Sequence, residues 1–214
     1  MKVATWAVLA LILSISPALR ADLESDLAHL QERWAEVNYQ LSGKTQITAF
    51  EVLMDAAAQV TAQYPDTAPA WIWSGIIKST YAGARGGVGA LKFAKSSRAD
   101  LERALELEPD ALQGAAYTSL GTLFYRVPGW PLGFGDDDKA EALLLKAIAI
   151  DPHGLDSNYF YADYLIKQKR YAQAQVYLLK AQAAAPRPSR PIADEGRQQE
   201  ITQALLAVAK KLEN

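Results

Sequence analysis

The sequence predicts an all-α fold: an α-α superhelix of about four stacked helical hairpins, finished by a C-terminal capping helix. Three observations carry this. Past residue 22, apolar residues recur three and four apart, with almost none of the strict alternation of a half-buried strand. The 214 residues include 38 alanines and 27 leucines, both strong helix formers, against 10 prolines. Four of those prolines end apolar helical runs, in Tyr64-Pro65-Asp66, Glu108-Pro109-Asp110, Asp151-Pro152-His153 and Ala185-Pro186-Arg187, because proline cannot continue a helix and restrains the residue before it. They stand 44, 43 and 34 residues apart, a regularity that marks stacked supersecondary units.

Residues 1–21 read as a leader. Lys2 precedes an apolar stretch over 3–15, then Ser16-Pro17-Ala18 and Arg20-Ala21, the layout of a secretory signal peptide. Cleavage falls after Ala18 or after Ala21, and the small residues Ser16 and Ala18 suit the first. A spanning helix needs roughly 20 apolar residues; this run is shorter and broken by Pro17, which leaves an uncleaved anchor as the lesser alternative. With no cysteine in the chain, a lipid anchor on an N-terminal cysteine, a disulfide framework and a thiolate metal site are excluded. The expected mature domain, 22–214, is soluble and periplasmic or secreted, with no membrane span once the leader is removed. The net charge of −2 for the whole chain argues against a nucleic-acid partner, which calls for a basic face.

The hairpins follow in order. Residues 22–65 form the first, a diverged unit that keeps second-helix spacing at Phe50, Leu53, Ala57, Val60 and Pro65. Three clearer units span 68–109, 112–152 and 155–186. Their second helices place Ser97, Leu101, Ala104 and Pro109; Ala140, Leu144, Ala147 and Pro152; and Ala174, Leu178, Ala181 and Pro186 in the same register. Their first helices carry a small residue at Gly75, Gly121 and Ala162, beside Trp71, Leu120 and Tyr161. A glycine or alanine on one helix leaves room for the side chains of the other, so the two axes approach closely. One hairpin cannot bury its apolar face alone, so neighbours stack. After the stiff run Pro186-Arg187-Pro188-Ser189-Arg190-Pro191, a helix over 192–213 with an apolar stripe of Ile201, Ala204, Leu205, Val208 and Leu212 closes the end of the array.

These registers over 68–186 resemble the tetratricopeptide repeat family. One departure is Ser74, where that pattern usually has a large residue. The resemblance implies a non-enzymatic protein that binds a protein partner or an extended peptide segment in a concave groove lined by first helices. Carried over unit by unit, the groove residues are Ile72, Ile76 and Ser79, then Thr118, Thr122, Tyr125 and Arg126, then Tyr159, Asp163 and Lys167. The export signal and four helix pairs also resemble the periplasmic T components associated with tripartite (TRAP) transporters. That likeness implies an alternative function, a transporter accessory holding a small apolar ligand near Trp71, Trp73, Tyr125, Trp130 and Tyr159.

Two units are longer than the standard repeat between their helices. Gly75 to Ser97 is ten residues longer and contains the glycine-rich stretch 83–89; Gly121 to Ala140 is seven longer and contains Pro128, Gly129, Trp130, Pro131 and Phe134. Insertions at one place in a repeat lie on one rim of a solenoid. The glycine-rich stretch matches no phosphate-loop fingerprint and reads as an inter-helix loop or a lengthened, bent first helix. In the second insertion, Trp130 and Phe134 either pack on the neighbouring hairpin or meet a ligand or partner. Asp136, Asp137 and Asp138 are expected to cap and charge the next helix. Chemistry is thinly represented. The two histidines, His29 and His153, have no partner at metal-ligand spacing, and no serine sits in a nucleophile elbow. No catalytic residue, metal ligand or cofactor is expected.

Overall fold

The computed structural model describes residues 17–87 and 89–213. The leader expected over 1–21 lies largely outside them; its last residues, from Pro17, begin the first helix. Among the described residues the chain is an all-helical array: α1 Pro17–Gln40, α2 Gly43–Gln63, α3 Ala68–Arg85, α4 Ala90–Leu107, α5 Ala111–Arg126, α6 Asp137–Ile150, α7 Leu155–Lys167, α8 Tyr171–Gln182 and α9 Pro191–Leu212. Helices pair as α1/α2, α3/α4, α5/α6 and α7/α8, each pair packs on the next, and α9 covers α8. No helix of the described residues is long and apolar enough to cross a membrane.

The small–large register produces the packing it predicts. A Cβ added at Gly75 would lie 2.6 Å from Leu101 Cγ, and one at Gly121 would lie 2.8 Å from Leu144 Cγ. Leu101, Leu144 and Leu178 are fully buried. Ser97, deep in the same seam, donates to the Gly75 carbonyl at 2.6 Å. In the N-terminal hairpin Phe50, Leu53, Ala57 and Val60 are buried as their spacing requires. Ser74 departs from the repeat pattern for a reason: its hydroxyl donates to Asp100 at 2.7 Å, and Lys78 Nζ completes the cluster at 2.5 Å from the same oxygen. A large apolar residue there would take away one of the two donors to a buried carboxylate oxygen.

Boundaries follow local chemistry. Asp136 caps α6 by accepting from the Lys139 amide at 3.0 Å, with Asp137 and Asp138 in the first turn at the positive end of the helix dipole. Pro191 opens α9, and Lys210 and Lys211 lie in its last turn. The first insertion lengthens both helices of its hairpin to 18 residues, so α3 runs on to Arg85 and turns at Gly86 and Gly87, both at positive φ. α5 differs from expectation. Leu112, Gln113 and Gly114 form a left-handed turn, with φ of 49°, 58° and 72°, before the right-handed helix begins. Gly114 suits this conformation, whereas Leu112 and Gln113 carry the Cβ penalty, about 1–2 kcal/mol per residue.

The capping helix also closes the array on itself. Beyond covering α8, α9 packs against α7 and against α1, the first helix of the chain. A Cβ on Gly196 would collide with the Tyr39 ring, and Ala193 joins the N-terminal core cluster with Leu30, Trp34, Val37 and Trp73. Of the predicted α9 stripe, Ile201 and Val208 are buried, Ala204 and Leu205 are half-buried, and Leu212, in the last turn, is exposed.

Candidate functional site

Ring closure surrounds a central, solvent-open cavity of about 1650 Å³. Its walls come mainly from the first helices of the hairpins and from α9, with the left-handed turn of α5 and the connections 151–154 and 184–190 completing them. The lining divides by chemistry. Ile76, Leu91, Ala94, Leu123, Val127 and Leu132 make an apolar wall from α3, α4, α5 and the insertion after α5. Asp156, Arg187, Arg190, Arg197 and Glu200 make a charged wall from α7, α9 and the segment between α8 and α9.

The charged wall is an ordered network. Asp156 accepts from Arg187 Nη1 at 2.7 Å and from Arg197 Nε at 3.0 Å. Asp194 holds Arg187 through its backbone amide at 2.6 Å and its Nε at 2.7 Å. Arg197 also reaches Glu200 at 2.5 Å and lies over the Tyr159 and Phe160 rings, 4.4 and 4.5 Å from their centres. Burial alone would raise the Asp156 carboxyl, but Arg197 and then Arg187 outweigh it and hold the group well below the usual carboxylate range. These contacts tie α9 to α7 and so help hold the ring shut.

The residues expected in the groove separate into three groups. Ile76, Ser79, Thr118, Thr122, Arg126 and Tyr159 line the central cavity. Tyr125, Asp163 and Lys167, with Arg126 shared, instead line a smaller cleft of about 620 Å³ beside the insertion. There the Tyr125 hydroxyl donates to Asp163, Arg126 donates to the same carboxylate at 2.5 Å, and Lys167 donates to the Tyr125 carbonyl and, at 3.2 Å, to Asp137. Burial, then Asp163, pushes the Tyr125 hydroxyl far above its ordinary range, so it stays protonated and donating. Ile72 is a correction: it is fully buried in the core between hairpins, because the adjacent face of α3 is taken by α5 and α2 as well as by α4. Of the expected ligand-side aromatics, Trp73 lines the cavity, while Trp71 donates to the Pro65 carbonyl at 2.8 Å.

The insertion at 127–136 is a stapled loop. Leu132 and Gly133 amides donate to the Gly129 carbonyl, Gly135 to Pro128 and Asp136 to Phe124, and the Trp130–Pro131 peptide is cis. Gly133 and Gly135 face backbone atoms of Pro128 and Val127 too closely for any side chain. Phe134 packs edge-on against Phe124, 5.6 Å between centres, with Arg98 5.1 Å from the Phe134 ring centre. Of the two alternatives left open for these aromatics, Phe134 takes the packing one, while Trp130 is 89% exposed and Leu132 is 74% exposed. Pro128 lines both the cavity and the cleft.

Sequence reasoning missed Arg187, Arg190 and Arg197, which carry no repeat register and reach the cavity only because α9 folds back. Among the described residues, no group of three or more His, Asp or Glu is placed to hold a metal ion.

Residues 132–191, about a quarter of the chain, match the tetratricopeptide repeat family. The stretch runs from the end of the stapled loop through α6, α7 and α8 to the first residue of α9. No curated protein matches the chain. In three dimensions it is similar to a thermophilic TPR protein from Thermus thermophilus, with a TM-score of 0.57 and 15% identity over 86% of this chain and 99% of that one. The fold is therefore that of a tetratricopeptide repeat solenoid, and one of its segments carries the family's sequence signature.

Proposed function

We propose that this is an exported, non-enzymatic binding protein that docks a protein partner on the rim formed by the stapled loop and the adjoining groove. The observation that carries the reading is the loop itself. Backbone hydrogen bonds and the buried face of Phe134 fix residues 127–136, yet the loop presents Trp130, Pro131 and Leu132 to solvent. A rigid loop showing a tryptophan loses little entropy on binding, and tryptophan dominates the energetics of many interfaces. Leu132 also lines the cavity, so the apolar rim runs into the groove at Thr118, Thr122 and Arg126, where an extended segment of the partner would lie. The leader-like residues 1–21 support a periplasmic or secreted setting.

The test is affinity capture from periplasmic extract with the wild type, Trp130→Ala, and Trp130→Ala combined with Tyr159→Ala. Each variant is expected to lose a partner that the wild type retains, with thermal stability little changed for Trp130→Ala. Equal recovery of every partner by folded variants would overturn the reading.

A further inference from the structure

The insertion between α3 and α4 takes no part in the stapled loop, yet it falls on the same rim of the array. Residues 67–99, which contain it, carry Lys78, Arg85, Lys92, Lys95 and Arg98 and no acidic residue at all. Three of these cations are answered from other segments. Lys78 pairs with Asp100 at 2.5 Å, Arg98 pairs with Glu102 at 2.7 Å, and Arg85 donates to the Tyr81 hydroxyl and stands 3.9 Å from Glu51. Lys92 and Lys95 are exposed, and no described carboxylate lies within ion-pairing distance of either. Lys92 lies only over the Phe93 ring, 4.6 Å from its centre.

Their position joins them to the docking loop. Leu91, Lys95 and Arg98 stand four and three apart on α4 and so share one face. At one end of this stripe Leu91 lines the central cavity together with Pro128 and Leu132 of the loop. At the other end Arg98 lies 5.1 Å from the ring centre of Phe134, which packs the loop onto Phe124. Lys95 therefore stands between the groove mouth and the base of the loop, with Lys92 one turn before it. Both lie on a second helix, not on the first helices that line a repeat groove. On the α7 side of the loop the charges are already matched, Asp163 by Arg126 and Asp137 by Lys167. An anionic group approaching the loop meets unopposed positive charge on the α4 side.

A short run of carboxylates fits this row. Alternate side chains of an extended strand project to one side about 6.6 Å apart, a spacing that the flexible stems of two lysines one turn apart can span. A nucleic-acid backbone or an anionic bilayer draws on many cations over a broad face, and two on the edge of a groove suit neither. We propose that the segment docked by the loop is acidic: an extended stretch whose alternate carboxylates meet Lys92 and Lys95 while an apolar neighbour packs on Trp130 and Leu132. This rests on the docking reading above and adds the chemistry of its partner.

Fluorescence anisotropy with a rhodamine-labelled decapeptide, four Ser-Glu repeats between two leucines, tests the assignment against the same peptide with Gln for Glu. At about 20 mM salt the Glu peptide should bind about tenfold tighter than the Gln peptide, and the difference should shrink at about 300 mM salt. Lys92→Gln combined with Lys95→Gln should weaken the Glu peptide about fivefold to thirtyfold and leave the Gln peptide unchanged. Lys146→Gln combined with Lys180→Gln, which removes the same charge from exposed sites on α6 and α8, should bind as the wild type does. Circular dichroism verifies that all variants are folded. Equal binding of the two peptides, or equal losses from the two lysine pairs, would overturn the proposal. So would co-sedimentation with phosphatidylglycerol vesicles that the Lys92 and Lys95 pair abolishes, because it would assign the row to a membrane. Trp130→Ala should weaken both peptides by one factor; no loss there would overturn the docking loop and leave the cation row standing.

Discussion

Two glycines on α3 should respond to the same substitution with opposite signs. At Gly75, an alanine Cβ would stand 2.6 Å from Leu101 Cγ, 2.8 Å from its Cδ2 and 3.3 Å from the Ser97 carbonyl. Carbon atoms pack best at about 3.5–4.0 Å, so the clash exceeds what a small rotation can absorb, and Leu101 is fully buried with nowhere to move. Overpacking of this kind costs about 1–3 kcal/mol, and the better helix propensity of alanine returns about 0.5–1 kcal/mol. Gly75→Ala should therefore lose about 1–2 kcal/mol, or about 2–8 °C in Tm for a chain of this size. At Gly83, on the same helix, nothing lies within 4 Å of the added Cβ, so Gly83→Ala should gain about 0.5–1 kcal/mol. Urea unfolding followed by circular dichroism measures both. A further check is the Leu101→Ala background, where the clash partner is gone and Gly75→Ala should become neutral or stabilising. Gly75→Ala at or above wild-type stability, or strict additivity with Leu101→Ala, would refute the close-packing argument.

Three other outcomes are expected. Asp100→Ala removes the acceptor of Ser74 and the partner of Lys78, whose side chain is only 20% exposed, and should cost about 3–5 kcal/mol in the same unfolding assay. Gln113→Gly relieves an exposed residue at φ 58° and should stabilise by about 1 kcal/mol, because glycine adopts the left-handed turn without the Cβ penalty. In alkali, burial pushes the Tyr39 and Tyr164 hydroxyls up to about 12, so part of the tyrosinate absorbance should lag behind the ordinary titration near pH 10. A folded pKa above the unfolded one means that this contribution to stability is complete below about pH 10 and is lost as pH rises toward 12; a single, unshifted absorbance transition would contradict it.

What the sequence determined by itself is the repeat. Proline stops, the apolar period and the small residues at Gly75, Gly121 and Ala162 are local facts, and local facts suffice to set helix boundaries and the seam inside each hairpin. They also located both insertions and the cap at Asp136, since helix capping depends on neighbours only three residues away. The exposure of Trp130 was not legible, because whether an aromatic in a loop finds a surface depends on loop geometry, which half-buried Phe134 against Phe124 and left Trp130 outside. The resemblance to the repeat family implied that Ile72 faces the groove, and only the stacking of α2 and α5 on α3 buried it.

The tertiary structure alone decided that the array closes. Gly196 against Tyr39 joins residues 157 apart in the chain, and no periodic pattern carries information at that range. Closure turned a groove into a cavity and brought Arg190 onto Trp73, two residues that are unremarkable in the sequence. A side chain's helix and face follow from its near neighbours. Whether its polar atoms find partners depends on which distant surface is laid against it, and that is why the charged wall of the cavity became visible only in the folded chain.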